Sequence, residues 1–148
     1  MESEEQNIER GIATLEALKV NIDNIQKQLA TVELSMQEHE RAIETMEHYR
    51  DAGEEEILVP VGAGTFIAAK TSEKRALISI GNDLFTEMTP AKIVEKLKER
   101  KSELEKLKGK LTEDLYRLQE NYAMLSAQVE EEYRKYMESK AKLGENQQ

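Results

Sequence analysis

The chain has 148 residues, of which 34% are charged and only 5% aromatic, and its formal net charge is −9. This composition contains too little bulky apolar material for a thick globular core and is typical of long helices. The lack of cysteine excludes disulfides, thiolate metal sites and cysteine catalysis, and the acidic balance argues against nucleic-acid binding, which requires a basic surface.

The first predicted element is a long helix over residues 4–50. Ser3 and Gln6 fit a capping box at its start, and Gly53 is a candidate C-cap just beyond its end. Apolar residues within the helix repeat at the a and d positions of five to six heptads, which predicts a coiled coil. The a series is Ile8, Leu15, Ile22, Leu29, Met36 and Ile43, and the d series is Leu18, Ile25, Val32, His39 and Met46.

His39 is the one polar member of the d series. A metal site there would need a second ligand about one helical turn away, but His48 lies nine residues further along the chain. We therefore predict that His39 helps to fix the register of the coiled coil, and we expect no metal site.

The segment 57–88, ILVPVGAGTFIAAKTSEKRALISIGNDLFTEM, is rich in β-branched residues and glycine, which predicts two β-hairpins. Pro60 cannot donate a hydrogen bond, so we expect an edge strand or a bulge at that position. The sequence GAG is not a dinucleotide-binding loop, because Ile67 occupies the place of the required third glycine. The expected strands are 57–62, 65–70, 75–80 and 84–88.

These hairpins contain more apolar residues than an isolated unit of this size can bury, and free strand edges favour pairing with another chain. We therefore expect an oligomer that is joined through the strands. The alternative, in which the hairpins fold back on their own helices, is disfavoured because the apolar stripes of the helices pair with each other. The expected oligomerisation residues are Val59, Val61, Phe66, Ile67, Leu77, Ile78, Ile80, Leu84 and Phe85.

Thr89 and Pro90 begin a second predicted helix over 90–143, since threonine is a good N-cap and proline is favoured at the first helical position. Two successive apolar spacings of four residues, on either side of Leu111, predict a stutter in the heptad pattern. The two helices have similar lengths and are expected to pair antiparallel. The polar tail 144–148 is predicted to be disordered.

The order of helix, two hairpins and helix, with VPVGAGTFI at 59–67 and ISIG at 78–81, resembles the α-class subunits of prefoldin, a molecular chaperone of archaea and eukaryotes. The resemblance covers nearly the whole chain, and two hairpins rather than one fit the α class. It implies one prefoldin-like domain over 1–148, mostly α with a small β insert. In this fold, a long antiparallel two-helix coiled coil is joined by two β-hairpins that assemble into an inter-subunit β-barrel.

The resemblance also implies a role and partners. Prefoldin is an α2β4 hexamer with β-class subunits. It holds non-native polypeptides at the tips of its coiled coils and passes them to a group II chaperonin without using ATP itself. The alternative function is a structural or filament-forming homo-oligomeric scaffold related to prefoldin.

The expected tips combine the start of the first helix with the end of the second, where the coiled coil can fray. Ile12 lies outside the a and d series, and Met137 is flexible and polarizable, so both are expected to offer apolar surface to a client polypeptide. The alternative for the tip residues is ordinary coiled-coil packing, which is the favoured interpretation for Leu15. The expected client-binding residues are Ile8, Ile12, Leu15, Tyr133, Tyr136 and Met137.

Neither a catalytic site nor a cofactor is expected, because no nucleophile–base pair or oxyanion arrangement can be placed in a two-helix hairpin. No apolar run approaches the roughly 20 residues that span a membrane. The polar N-terminal stretch, MESEEQNIER, does not have the pattern of a secretory signal. We therefore expect a cytoplasmic protein without membrane or nucleic-acid partners.

Overall fold

A computed structural model describes residues 3–53, 56–71 and 74–146. The fold is mostly α with two small antiparallel strand pairs, as predicted. Within these residues, neither helix has a stretch long and apolar enough to cross a membrane. In chain order the elements are α1 (Glu4–Asp51), β1 (Glu56–Gly62), β2 (Thr65–Lys70), β3 (Ala76–Gly81), β4 (Leu84–Met88) and α2 (Pro90–Asn146).

The chain divides into two compact units. Unit 1 consists of Met1–Val32 and Leu107–Gln148, and unit 2 of Glu33–Lys106. Unit 1 thus contains the start of α1 and the end of α2, whereas unit 2 contains the four strands and the helix segments that flank them.

The predicted capping box at the start of α1 is confirmed. The Ser3 backbone N–H donates to Gln6 Oε1 at 3.3 Å, and the Gln6 N–H donates to Ser3 Oγ at 3.3 Å. These two bonds satisfy donors that have no partner within the helix.

The end of α1 is capped by a lysine instead of the predicted glycine. The described glycines with positive φ are Gly62, Gly64 and Gly81, so Gly53 does not adopt the left-handed cap conformation. Lys74 Nζ instead donates to the carbonyl of Arg50 at 2.8 Å and also to the carbonyl of Ala52. A cation is favoured there because the last carbonyls of a helix lack intrahelical partners and carry partial negative charge.

The coiled-coil face predicted for α1 is confirmed, since every residue of the a and d series is buried or half-buried. Gly11 occupies the d position one heptad before Leu18 and is also half-buried. His39 is half-buried, and its Nδ1 donates to the Ser35 carbonyl at 2.7 Å, a bond within the helix.

The stutter predicted for α2 is wrong. Leu107 is 44% exposed, while its neighbour Lys108 is half-buried. Lysine stems can lie along an apolar surface while their charged ends reach water, so an apolar count misses them. From Leu97 onward, buried and half-buried residues recur in an unbroken pattern of alternating three- and four-residue steps: Leu97, Lys101, Leu104, Lys108, Leu111, Leu115, Leu118, Tyr122, Leu125, Val129, Glu132 and Tyr136. Arg100, Asp114 and Ser126, each next to a position of this pattern, are half-buried as well.

The start of α2 agrees with the prediction, and its end does not. The Lys92 N–H donates to the Thr89 hydroxyl at 3.4 Å, which makes Thr89 the N-cap. The helix continues through Gly144 to Asn146, because one glycine costs a helix only about 1 kcal/mol. Residues 147–148 of the predicted tail lie outside the described residues.

The two hairpins have the same strand register and the same bulge, and equivalent positions lie 19 residues apart in the chain. In the first, Pro60 lies opposite Phe66 and the next residue bulges; in the second, Ser79 lies opposite Phe85 and the next residue bulges. The bulge expected near Pro60 is therefore confirmed. Both two-residue turns have positive φ at each residue, the signature of type I′: Ala63 (49°), Gly64 (71°), Asn82 (51°) and Asp83 (58°).

The core of unit 2 joins the second hairpin to the two helices. Ile78 is 7% exposed and packs with Ile93 and Leu97 of α2. This corrects the prediction that Ile78 is an oligomerisation residue, because its own helices already cover it. The partly buried residues around this cluster are Ala42, Ile43, Met46, Ala76 and Met88.

Two ion pairs between the helices give their direction within unit 2. Glu47 Oε1 lies 3.2 Å from Lys98 Nζ, and Glu40 Oε1 lies 2.9 Å from Lys101 Nζ. Residue numbers rise along one helix as they fall along the other, so the two segments run antiparallel, as predicted.

Candidate functional site

The four strands carry a large set of exposed apolar side chains, here called the hairpin surface. Each of its members is at least 41% exposed. Exposed apolar residues in such a concentration make the strands the candidate interaction site of this chain. The members are Leu58, Val59, Val61, Phe66, Ile67, Leu77, Ile80, Leu84 and Phe85.

This surface contains all the predicted oligomerisation residues except Ile78, together with Leu58, which the prediction omitted. Leu58 is 66% exposed and lies opposite Ala68. Leu58 is an apolar residue within the predicted strand 57–62, and this apolar content was the signal that would have identified it.

Side-chain alternation also explains why the two hairpins differ. In the second hairpin, one face carries Ile78 and packs on the helices, while the opposite face carries the exposed Leu77 and Phe85. In the first hairpin, the pair Ile57 and Ala69 is half-buried, and the other described positions are exposed.

Hydrogen bonds hold the second hairpin to the helices of unit 2. Arg100 Nη2 donates to the Ser79 carbonyl at 2.7 Å, and the Tyr49 hydroxyl donates to the Arg75 carbonyl at 3.3 Å. Arg75 Nε also lies 3.3 Å from Glu87 Oε1 on β4. These contacts fix the orientation in which Leu77 and Phe85 are presented.

A cavity of about 590 Å³ lies beside the hairpins in unit 2. Its lining includes Tyr49 and Ala52 of α1, Ile57 and Leu58 of β1, and Arg75, which directly precedes β3. The lining is mostly apolar, so this cavity suits packing better than acid–base chemistry.

A second set of exposed apolar side chains lies in unit 1 and is here called the terminal surface. Ile12 is 46% exposed and Met137 is 49% exposed. Both positions match the exposure that the sequence predicts for them, while client binding stays a prediction. The surface consists of Ile12, Tyr133, Met137 and Leu143.

The remaining predicted client-binding residues are less accessible. Ile8 is 6% exposed, so the prediction that it offers surface to a client is corrected: it is a packing residue of unit 1. Leu15 and Tyr136 are half-buried. Lys140 Nζ lies 4.9 Å from the centroid of the Tyr136 ring, and the Tyr136 side chain raises the pKa of Lys140.

The Prefoldin family model, described as a prefoldin subunit, matches residues 18–135. The prefoldin subunit alpha of Methanococcoides burtonii is 30% identical over 130 residues, covering 86% of this chain and 94% of its own length. The prefoldin subunit alpha of Methanoculleus marisnigri is 31% identical over 141 residues, covering 91% of this chain and 94% of its own length.

A solved structure has the same fold. The cryo-EM structure of filamentous PFD from Methanocaldococcus jannaschii superposes with a TM-score of 0.50 at 20% identity, covering 84% of this chain and 98% of that chain. The family match over most of the chain, with relatives that are named as alpha subunits, establishes the assignment. The chain belongs to the prefoldin family of molecular chaperone subunits, in its archaeal α class.

Proposed function

We propose that this chain is a subunit of an ATP-independent holdase. It assembles with β-class prefoldin subunits into an α2β4 hexamer, captures non-native polypeptides and passes them to a group II chaperonin in the cytoplasm. The observation that carries the proposal is the hairpin surface, whose members are all at least 41% exposed.

Assembly follows from the free energy of burying this surface. Each large apolar side chain that becomes fully buried contributes roughly 1.5–3 kcal/mol. Phe66 and Phe85, which are 57% and 63% exposed, offer the largest gains. Strands of other subunits that cover both hairpins would close an inter-subunit β-barrel, in which no strand edge remains free.

Client capture is assigned to the terminal surface. Its side chains differ in shape, and Met137 adapts to varied partners because its side chain is unbranched and polarizable. One such patch binds weakly. Several patches in one assembly bind a single unfolded chain more tightly, because each contact raises the effective concentration for the next. This function requires no nucleotide hydrolysis, which agrees with a family of chaperones rather than enzymes.

A homo-oligomeric or filament-forming scaffold is the second candidate. The hairpin surface also suits a second copy of this chain, since a copy offers the same apolar strands. The mass of the assembly, measured for the chain alone and with a β-class subunit, separates the two candidates. The holdase predicts a defined hetero-hexamer, whereas the scaffold predicts large assemblies of the single chain.

Aggregation of an unfolded client tests capture directly. In the assembled complex, the triple variant Ile12→Ser, Tyr133→Ser, Met137→Ser should lose most of its ability to suppress aggregation. The matched control replaces three exposed apolar residues of unit 1 outside the terminal surface: Val20→Ser, Tyr116→Ser and Met124→Ser. Equal loss in both variants, or in neither, would contradict capture at the terminal surface.

Transfer to the chaperonin is tested separately. A labelled client bound to the wild-type complex should move to a group II chaperonin without added ATP. If the client stays on the complex for as long as an unbound client takes to aggregate, the transfer to the chaperonin would be contradicted, but the capture of the client would not.

A further inference from the structure

We propose that the terminal surface selects non-native segments in which a lysine or arginine lies two positions from an apolar residue. The inference rests on client capture at the terminal surface, which is proposed above. It adds the class of sequence that this surface binds most tightly.

Ile12 and Tyr133 lie at nearly the same level of the two helices in unit 1. Gly11, which directly precedes Ile12, lies against Val129. Tyr133 follows Val129 by one helical turn. At about 1.5 Å per residue, the two exposed side chains are therefore within about 8 Å of each other along the helix axis.

The two residues also lie on the same side of unit 1. A spacing of seven residues keeps side chains on one side of a helix, and it joins Glu5 to Ile12 on α1 and Tyr133 to Lys140 on α2. The Tyr136 side chain raises the pKa of Lys140 most, and the charge of Glu5 raises it further. Glu5 and Lys140 are therefore near each other, and Ile12 and Tyr133 continue the same side.

Three carboxylates surround this apolar pair. Glu9 and Glu16 lie three residues before and four residues after Ile12, and Glu130 lies three residues before Tyr133. Residues at these spacings are neighbours on a helix surface, with about 5–6 Å between Cβ atoms. The three carboxylates are exposed, and none forms an ion pair with another residue that the structure describes. They are therefore free to pair with a cation of a client.

Two basic residues act at the other end of the terminal surface. Lys140 is already engaged, because its Nζ lies 4.9 Å from the centroid of the Tyr136 ring. Arg134 is exposed and lies three residues before Met137. A client cation is therefore favoured beside Ile12 and disfavoured beside Met137.

An extended polypeptide matches the spacing of these groups. Its residues rise about 3.3 Å each, and residues two positions apart point the same way, so their side chains are separated by about 6–7 Å. An apolar side chain that packs on Ile12 or Tyr133 thus places a basic side chain two positions away next to a carboxylate. An acidic side chain at that position would meet a like charge, which disfavours the segment.

Three labelled peptides test the inference on the complete complex with β-class subunits. Each peptide repeats leucine, serine, X and serine, with X as lysine, glutamine or glutamate. The variant Tyr133→benzoylphenylalanine crosslinks a peptide only at the terminal surface, so the concentration for half-maximal crosslinking reports the affinity there.

The lysine peptide should bind about tenfold more tightly than the glutamate peptide at about 50 mM salt, with the glutamine peptide between them. An exposed ion pair changes a binding constant by up to about fivefold, and several pairs form together. At about 500 mM salt the ratio should fall below about threefold, because exposed charges are screened.

Two triple variants identify the carboxylates that are responsible. The first, Glu9→Gln, Glu16→Gln and Glu130→Gln, should lower the ratio of the two affinities at least about threefold. The control changes the net charge by the same amount at exposed positions of unit 1 outside the terminal surface, and it should keep the ratio: Asp23→Asn, Glu113→Gln and Glu120→Gln. Arg134→Gln should act in the opposite direction and strengthen binding of the lysine peptide about twofold.

Equal affinity for the three peptides would overturn the inference and leave client capture intact. A ratio that both triple variants lower equally, or that neither lowers, would also overturn it. A complex that crosslinks none of the peptides and does not suppress aggregation would overturn client capture, and the inference with it. The salt dependence is measured with all carboxylates in place, so it decides the question even if a triple variant fails to assemble.

Discussion

Gly11 lies directly against Val129 in unit 1: a Cβ atom at position 11 would be 2.5 Å from Val129 Cγ2. No real side chain tolerates that distance, so the glycine permits a close approach of the two helices. A glycine inside a helix otherwise costs stability through backbone entropy. Its place at a d position of the heptad pattern therefore has a packing reason.

Replacing Gly11 with alanine should destabilise the protein. Overpacking costs about 1–3 kcal/mol and outweighs the roughly 1 kcal/mol gained in helix propensity, because the β-branched Val129 is stiff. Gly109→Ala is the matched control, since nothing lies within 4 Å of its added Cβ, and it should stabilise by up to about 1 kcal/mol. Urea unfolding followed by circular dichroism measures both. A stabilising Gly11→Ala would contradict the close approach.

Ile78 and Ile80 should separate stability from assembly. Ile78→Ala leaves a cavity in the core of unit 2 and should lower the free energy of unfolding by about 2–4 kcal/mol. Ile80 is 57% exposed, so Ile80→Ala should change the stability of the free chain by less than about 1 kcal/mol while weakening assembly. Similar unfolding midpoints for the two variants would show that Ile78 is not a core residue.

The unbroken heptad pattern of α2 predicts that substitution of Leu107 costs much less stability than substitution of Leu111. Leu107→Gln should change stability by less than about 0.5 kcal/mol, because this side chain is already 44% exposed. Leu111→Gln places a polar amide at a half-buried position and should cost about 1–2 kcal/mol. Thermal unfolding at equal protein concentration compares them. If both substitutions lowered the stability equally, the heptad pattern would contain the stutter that the apolar spacing suggests.

The turn residue Ala63 has a φ of 49°, which alanine adopts at a cost of roughly 1 kcal/mol. Asparagine tolerates this conformation, and Asn-Gly is the preferred type I′ pair. Ala63→Asn should therefore slow exchange of the Ile67 amide about two- to fivefold. The converse change, Asn82→Ala, should speed exchange of Thr86 in the second hairpin. No change in either amide would mean that the turns do not limit opening of the hairpins.

The ion pair of Glu40 and Lys101 predicts a pH dependence with a definite sign. The hydrogen bond from Lys101 lowers the pKa of Glu40, and the same bond raises the pKa of Lys101. Glu40 therefore adds stability above its unfolded pKa of about 4.3, and this stability is lost as the pH falls through its lower folded pKa. Lys101 adds stability below about pH 10.4, which is lost as the pH rises through its higher folded pKa.

Urea midpoints measured between pH 2 and pH 7 test the acid limb. Glu40→Gln should flatten this limb relative to the wild type. Lys101→Met, which keeps an apolar stem at a half-buried position, should flatten it equally, because Glu40 then loses the ammonium group that lowers its pKa. An unchanged acid limb in Lys101→Met would show that the pair does not couple to folding.

Much of the fold was predictable because its signals are local. The capping box at Ser3, the N-cap at Thr89 and the turn at Asn82 each depend on a few adjacent residues. The heptads of α1 depend only on a period, and every predicted position proved buried or half-buried. The apolar content of the strands predicted most of the residues of the hairpin surface, and their role in assembly stays a prediction.

The errors share a cause, which is that an apolar count does not show what a side chain meets. Lys108 rather than Leu107 lies on the buried face of α2, because a lysine stem packs like an apolar one. The closing of α1 by Lys74 joins residues more than 20 positions apart and leaves no local signal.

The residue pattern by itself determined two long helices with one apolar stripe each and two hairpins between them, because period and turn chemistry act over a few residues. Only the tertiary structure decided which strand faces are covered. Ile78 and Ile80 are alike in sequence, and packing on α2 buries the first and leaves the second exposed. The same packing placed Arg100 and Tyr49 along one edge of β3, since contacts across the chain depend on where whole elements lie.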